Sequence, residues 1–240
     1  MDFDLTQDQK EIKGVARELL AARSPMPAVR RAAEAGGYDR SLWDELVALG
    51  WPGIAVAEEH GGQGLGAVAL AVLLEELGYA CAATPFLSTA VAAAVIQAAG
   101  TPDQQTRWLP GLATGELTAG IGTPDLAADA AGAAVVVLIV GDEAQLVEAP
   151  VTEPLEAIDP TRRFARVHGS GGTLQAGAAE RVRSAISAEV VGVCQRALDM
   201  TLEYVKERKQ FGVAVGSFQA VAHRCAQMLL HTESARGAAY

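Results

Sequence analysis

The residues best placed to do chemistry lie in one run, Glu207-Arg208-Lys209-Gln210-Phe211-Gly212, followed a short turn later by Ser217-Phe218-Gln219. A guanidinium presents a planar fork of donors that suits a phosphate or carboxylate. Read by itself, Arg208 is also an ordinary surface arginine at a helix end. Lys206, Arg208 and Lys209 crowd that end and suit the negative pole of a helix dipole. Gly212 stands where a C-terminal glycine is expected. The acidic and basic side chains of Glu58-Glu59-His60 offer acid–base chemistry in principle, but their glycine-rich surroundings read as a solvated loop. Gly62-x-Gly64-x-x-Ala67 fits a relaxed dinucleotide-binding fingerprint. That reading needs a preceding strand and an acidic residue about 20 positions on. Residue 84 is Thr, and Trp51-Pro52-Gly53 leaves no room for the strand, so a turn between helices is expected instead.

The element that positions the first run is a long amphipathic helix. Val190, Cys194, Ala197, Leu198, Thr201, Leu202 and Val205 recur at the spacing of one helical face. Before it, residues 5 to 115 read as helices. Thr6 to Gln9 is a capping box, with Ile12, Val15, Ala16, Leu19 and Leu20 on one face behind it. Ser24 to Pro27 is expected to end that helix, and Ser41 to cap the next. Ala67 to Gly78 is a helix with Glu75 and Glu76 facing outward, and Pro85 to Ala99 is so apolar that it must be buried on most sides. Thr101-Pro102 opens a further helix. The pattern then changes to β: Ala133 to Val140 is a β-branched run that can pair with residues 145–148 through a turn at 141–143, and Phe164 to Val167 is another strand. Gly169 to Gly172 is read as a loop.

The chain has 240 residues, half of them apolar, which allows one large domain or two to three small ones. Abundant alanine and few aromatic residues favour packed helices over a β-sandwich. A net charge of −10 without a basic patch argues against nucleic acid as a partner. Cys81, Cys194 and Cys225 are odd in number and far apart, so they read as reduced core cysteines of a cytoplasmic protein, with no metal site. The acidic start from Met1 to Asp4 does not read as a signal peptide, and no apolar run is long enough to suggest a membrane span.

Arg208-x-x-Phe211-Gly212 followed by Phe218-Gln219, after Gln195 to Asp199 and Tyr204, resembles the start of the C-terminal helical domain of acyl-CoA dehydrogenases. Trp43 to Gly66 resembles the N-terminal helical domain of the same family, with Ala57 where proline is usual, and Gly100 to Glu116 matches it again. The resemblance implies a mainly α fold with a small β domain. Its units are an N-terminal helical domain over 1–116, a reduced β domain over 117–177 and the first part of a C-terminal helical domain over 178–240. It also implies FAD as cofactor, an acyl-CoA substrate, a homo- or hetero-oligomer and an electron-transfer flavoprotein as redox partner. In the family the arginine and glutamine of the motif reach the adenine and pyrophosphate half of an FAD held mainly by the neighbouring subunit. That assigns Arg208 and Gln219, with Phe211 beside them, to cofactor binding.

The family's flavin-contacting Thr-Glu-Pro-x-x-Gly-Ser-Asp segment is reduced here to Gly122-Thr123-Pro124-Asp125, so Thr123 is its one remnant. A second ring-contacting segment is absent. Arg183 matches a family arginine near the active site and is the candidate substrate contact. Some members carry the catalytic glutamate early in the helix that begins near Glu180, but Val182 occupies that position. Glu180 and Glu189 do not match it, and no base is assigned. Three roles stay open: an enzyme in its own right, a non-catalytic partner subunit that completes another chain's FAD site, and part of a longer enzyme. A helical scaffold without flavin is the plain alternative.

Overall fold

The structure is a computed structural model and describes residues 4–240; Met1 to Phe3 of the acidic start lie outside them. Six helices come first: α1 (Gln7–Arg23), α2 (Met26–Glu34), α3 (Arg40–Ala48), α4 (Gly66–Ala80), α5 (Phe86–Ala99) and α6 (Pro102–Ala113). Seven strands follow: β1 (Ala119–Thr123), β2 (Leu126–Ala128), β3 (Val135–Val140), β4 (Glu143–Glu148), β5 (Val151–Leu155), β6 (Phe164–His168) and β7 (Gly172–Thr173). Then come α7 (Ala178–Glu207), the short strands β8 (Lys209–Gln210) and β9 (Val213–Ala214), and α8 (Gln219–Ala239). The fold is mainly α with a small mixed sheet, as expected.

Local chemistry explains the helix starts. Thr6 and Thr101 each close a capping box with a glutamine three residues on. The hydroxyl of Ser41 does not cap α3; the carboxylate of Asp39 accepts from the Leu42 amide at 3.0 Å. As expected, α1 ends at the segment Ser24 to Pro27, with Ser24 as its cap, and Pro25 and Pro27 also serve the next helix. They sit at the start of α2, where a missing N–H is harmless. Trp51 to Gly66 forms two 3-10 turns and no strand, which removes the dinucleotide-fold reading.

The sheet runs β5-β6-β2-β1-β3-β4-β7, and β1–β3 is its parallel pair. Val135 and Val137 on β3 pack into the main helical core, while Val136 and Leu138 join a smaller cluster on the far face. Burial on both faces is why the strand reads as a continuous apolar run. Gly172, expected as the end of a loop, instead pairs with Leu146, and Thr173 with Gln145, as an edge strand.

The helical core centres on α4 and α5, which α7 crosses. The crossing is close because glycine stands on each helix. A Cβ at Gly78 would sit 2.1 Å from the Glu189 carbonyl oxygen, and one at Gly192 would sit 1.9 Å from that of Glu75. The buried face of α7 is Ala178, Ala179, Val182, Ala188, Val191, Gly192 and Leu198. It therefore differs from the expected stripe. Val190 and Cys194 are exposed, and the other two cysteines are only half-buried.

Glu75 and Glu76 do not face outward. They are 2% and 1% exposed. Glu75 meets Lys13 at 3.1 Å, Arg236 at 3.3 Å and the Tyr240 hydroxyl at 2.9 Å. Glu76 is held by the Arg17 guanidinium through two hydrogen bonds. Burial pushes the Glu75 carboxyl up, but Lys13, Tyr240 and Arg236 together hold it below its ordinary value. Removing one partner of such a buried pair costs about 3–5 kcal/mol, so these charges fasten α1 and α8 to α4.

Candidate functional site

The run singled out by sequence sits where α7 ends. Arg208 is the cap residue after the last turn and leaves the helix in an extended conformation. Gly212 is not the helix C-cap. Lys209 pairs with Ala214 and Gln210 with Val213, so Phe211-Gly212 is the two-residue turn of a hairpin. Both turn residues have positive φ, 52° and 83°, as a type I′ turn requires. Glycine adopts that conformation freely, but a phenylalanine held there is strained, by about 1–3 kcal/mol. Phe211 is also 93% exposed. Its ring meets the edge of Phe218 at a centroid distance of 6.2 Å, and Phe218 directly precedes Gln219, the first residue of α8. Arg208 and Gln219 are exposed, and their side chains make no hydrogen bond or ion pair among the described residues. A strained exposed ring, an uncommitted guanidinium and an uncommitted amide thus share one edge.

Thr123 and Arg183 lie at a different place. The register Gly122↔Leu138 carries Thr123 to the end of the sheet where the β3–β4 turn lies. Arg183 donates to the Gly141 carbonyl of that turn at 2.8 Å and lies 3.7 Å from Asp142 and 3.6 Å from Glu180. Its guanidinium is therefore already engaged. Thr123 pairs directly with Leu126, so only Pro124-Asp125 turns the chain between β1 and β2. Arg183 and Arg208 are 25 positions apart (208 − 183) on one continuous helix, a rise of about 37 Å. The structure separates the sequence-derived candidates into two groups.

The buried carboxylates are committed elsewhere. Asp129, at a positive φ of 55°, accepts from the Ser88 hydroxyl at 2.6 Å, and burial raises its pKa above the ordinary value. Glu189 is bonded to Arg162, yet burial raises it as well. Sequence periodicity gave no sign of either, because their partners lie on distant segments. Glu58 and Glu59 form an exposed 3-10 turn with His60 beside Glu59 at 3.8 Å. Among the described residues none stands out as a general base. An apolar cavity of about 190 Å³ opens between α4, α5, α7 and the end of α8, lined by Leu74, Val91, Val95, Ala185 and Tyr240 among others. Neither Thr123 nor Arg183 lines it. Among the described residues no cluster of three or more His, Cys, Asp or Glu is arranged to hold a metal, and no helix is long and apolar enough to cross a membrane.

These observations bear unequally on the expected FAD. The Arg208 edge fits a pyrophosphate, because it offers unspent donors and an exposed ring. The Thr123 edge does not fit the flavin ring, because a two-residue turn leaves one hydroxyl and no loop to wrap it.

Comparison with known proteins matches two parts of the chain. The model for the N-terminal domain of acyl-CoA dehydrogenases matches residues 6–116, and that for the C-terminal domain matches residues 169–240. Acyl-CoA dehydrogenase IpdE2 of Mycobacterium tuberculosis is 35% identical over 90% of this chain, which spans 70% of that protein's length. A solved steroid ACAD variant, Tcur3481–Tcur3483, superposes with a TM-score of 0.82 at 28% identity, covering 97% of this chain and 76% of that one. The ChsE4–ChsE5 complex from Mycobacterium tuberculosis shares the fold, with a TM-score of 0.82 at 23% identity, over 100% of this chain and 79% of that one.

Proposed function

The chain belongs to the acyl-CoA dehydrogenase family of FAD-dependent oxidoreductases, and from that premise we propose that it serves α,β-dehydrogenation of an acyl-CoA thioester as a subunit whose cofactor sites are shared between chains. The observation that carries this reading is the hairpin after α7, with Phe211 strained and exposed beside an unpaired Arg208. Strain of that kind persists where the surroundings hold it for use. FAD, once held there, would supply the acceptor for a hydride leaving the substrate's β carbon. Arg208 grips the pyrophosphate through its fork, Gln219 orients the adenine half, and Phe211 covers it from solvent. The rise of about 37 Å between Arg183 and Arg208 supports placing these two ends of one chain at different cofactors. Thr123, left with a two-residue turn beside it, is given no flavin contact in this reading, and Arg183, released from the β3–β4 turn, would meet the substrate.

A second reading has its own support. The two-residue turn at Pro124-Asp125 leaves little with which to hold a flavin ring, and no uncommitted buried carboxylate stands ready as a base. The chain then acts as the partner subunit of a heteromeric dehydrogenase and lends its Arg208 edge to the other subunit. The two-chain names of the structural relatives accord with this reading. The three-unit division at residues 116 and 177, an electron-transfer flavoprotein as acceptor and a cytoplasmic setting belong to the same proposal.

The test is a visible absorption spectrum of the purified chain, alone and coexpressed with a full-length family member. A shared site gives flavin in the complex and loses most of it with Arg208→Ala. Undiminished flavin in the Arg208→Ala complex sinks the assignment. Flavin on the isolated chain would favour a complete site over the partner reading.

A further inference from the structure

A second cavity, of about 390 Å³, lies between α1, the α1–α2 turn, α4 and α7, away from both edges described above. Its walls include Arg17, Ser24, Glu76, Tyr79 and Arg196. Arg17 is spent on Glu76, and Ser24 donates to the Ala80 carbonyl at 3.4 Å. Tyr79 donates its hydroxyl to Asp199 at 3.0 Å, which fixes the ring. Arg196 is different. It makes no hydrogen bond and no ion pair among the described residues, and its one contact of note is with the Tyr79 ring, 5.3 Å from the centroid. Its Nε is sealed from solvent and has no partner.

We propose that this cavity binds a small oxyanion, a carboxylate or a phosphate, in the guanidinium fork of Arg196.

A guanidinium has five donors in a rigid fork; the Nε of Arg196 is sealed, and its two terminal nitrogens, on a side chain that lines the cavity, have no protein partner among the described residues. A single water offers one oxygen, whereas an oxyanion takes two parallel N–H bonds and supplies the missing charge. The walls hold two guanidiniums against one carboxylate, and Glu76 is already bound by Arg17, with Lys13 3.7 Å away. The unneutralised charge is that of Arg196. The Tyr79 ring lies between Arg196 and Arg17, whose guanidinium is 3.8 Å from its centroid, and the cation–π contact at 5.3 Å steadies the Arg196 fork.

The probe is inorganic phosphate, followed by equilibrium dialysis against the full chain, with acetate as competitor. One saturable phosphate per chain is expected. Arg196→Gln should abolish it, and Arg196→Lys, which keeps the charge but loses the fork, should weaken it at least about ten-fold. Displacement by acetate at similar concentration assigns a carboxylate ligand; resistance to acetate assigns a phosphate. Absence of saturable binding to the unaltered chain, or equal binding by Arg196→Gln, overturns the proposal. Arg196→Lys covers the case in which the glutamine variant fails to fold.

Discussion

Replacing Gly192 with alanine should destabilise the protein, although alanine is the better helix former. The added Cβ would lie 1.9 Å from the Glu75 carbonyl oxygen, and ordinary contact begins at 3.4 Å, so α4 and α7 must part by about 1.5 Å. Both atoms belong to helix backbones, so no side chain can swing aside. Overpacking of this kind costs about 1–3 kcal/mol, and the upper end applies because separation also disturbs the buried Glu75 and Glu76 pairs. The helix-propensity gain returns about 1 kcal/mol. The net loss is about 2 kcal/mol, or about 4–8 °C in melting temperature for a chain of this length. Gly14→Ala is the matched control. Gly14 lies inside α1, and a Cβ added there would meet nothing within 4 Å, so only the propensity gain applies, about 1 kcal/mol or 2–4 °C upward. Thermal denaturation followed by circular dichroism reads both. If Gly192→Ala rises alongside Gly14→Ala, the close crossing does not hold these helices together.

Phe211→Asn should relieve the positive-φ strain and raise the melting temperature by a few degrees, about 1 kcal/mol, while flavin retention by the complex falls; a variant that loses both stability and flavin would refute the strain. Asp129 has its pKa raised by burial, so the fold binds its proton more tightly than the unfolded chain, and stability falls as pH climbs from the ordinary 3.8 through the raised value. Asp129→Asn cannot ionise, so its melting temperature relative to the unaltered chain should improve as pH rises above 3.8. A difference independent of pH would show that Asp129 does not titrate in that range. Thr101→Ala should lower stability by about 1 kcal/mol through loss of the cap on α6, measured by urea denaturation.

Much of the helical framework was legible because its signals are local. Thr6 and Thr101 announce their helices within four residues, and the β-branched run at residues 135–140 announces its strand. The order of helical, β and helical segments followed from them, and the motif at Arg208 pointed to the family. The burial of Glu75 and Glu76 was not legible, because the partners that permit it, Lys13, Arg17 and Arg236, lie 59 to 161 residues away along the chain. Proline at 25 and 27 reads equally as a stop and a start, and the structure shows both, α1 ending at Arg23 and α2 opening at Met26. Gly212 satisfies two rules at once, helix cap and hairpin turn, and only the pairing of Gln210 with Val213 separates them. For the candidate site, the sequence nominated Arg208, Phe211, Thr123, Arg183 and Gln219 but not their separation into two groups, because helix length converts sequence separation into distance only once the helix is known to be unbroken.

The length of α7 has a genetic consequence. If the Arg183 end of a chain works at one cofactor and the Arg208 end at another, as proposed, a lesion at either end would silence every site of a homo-oligomer. Two such alleles expressed together would still assemble some sites from one sound end of each product. Activity recovered from a pair of individually dead genes would be the mark of a site that no single chain owns.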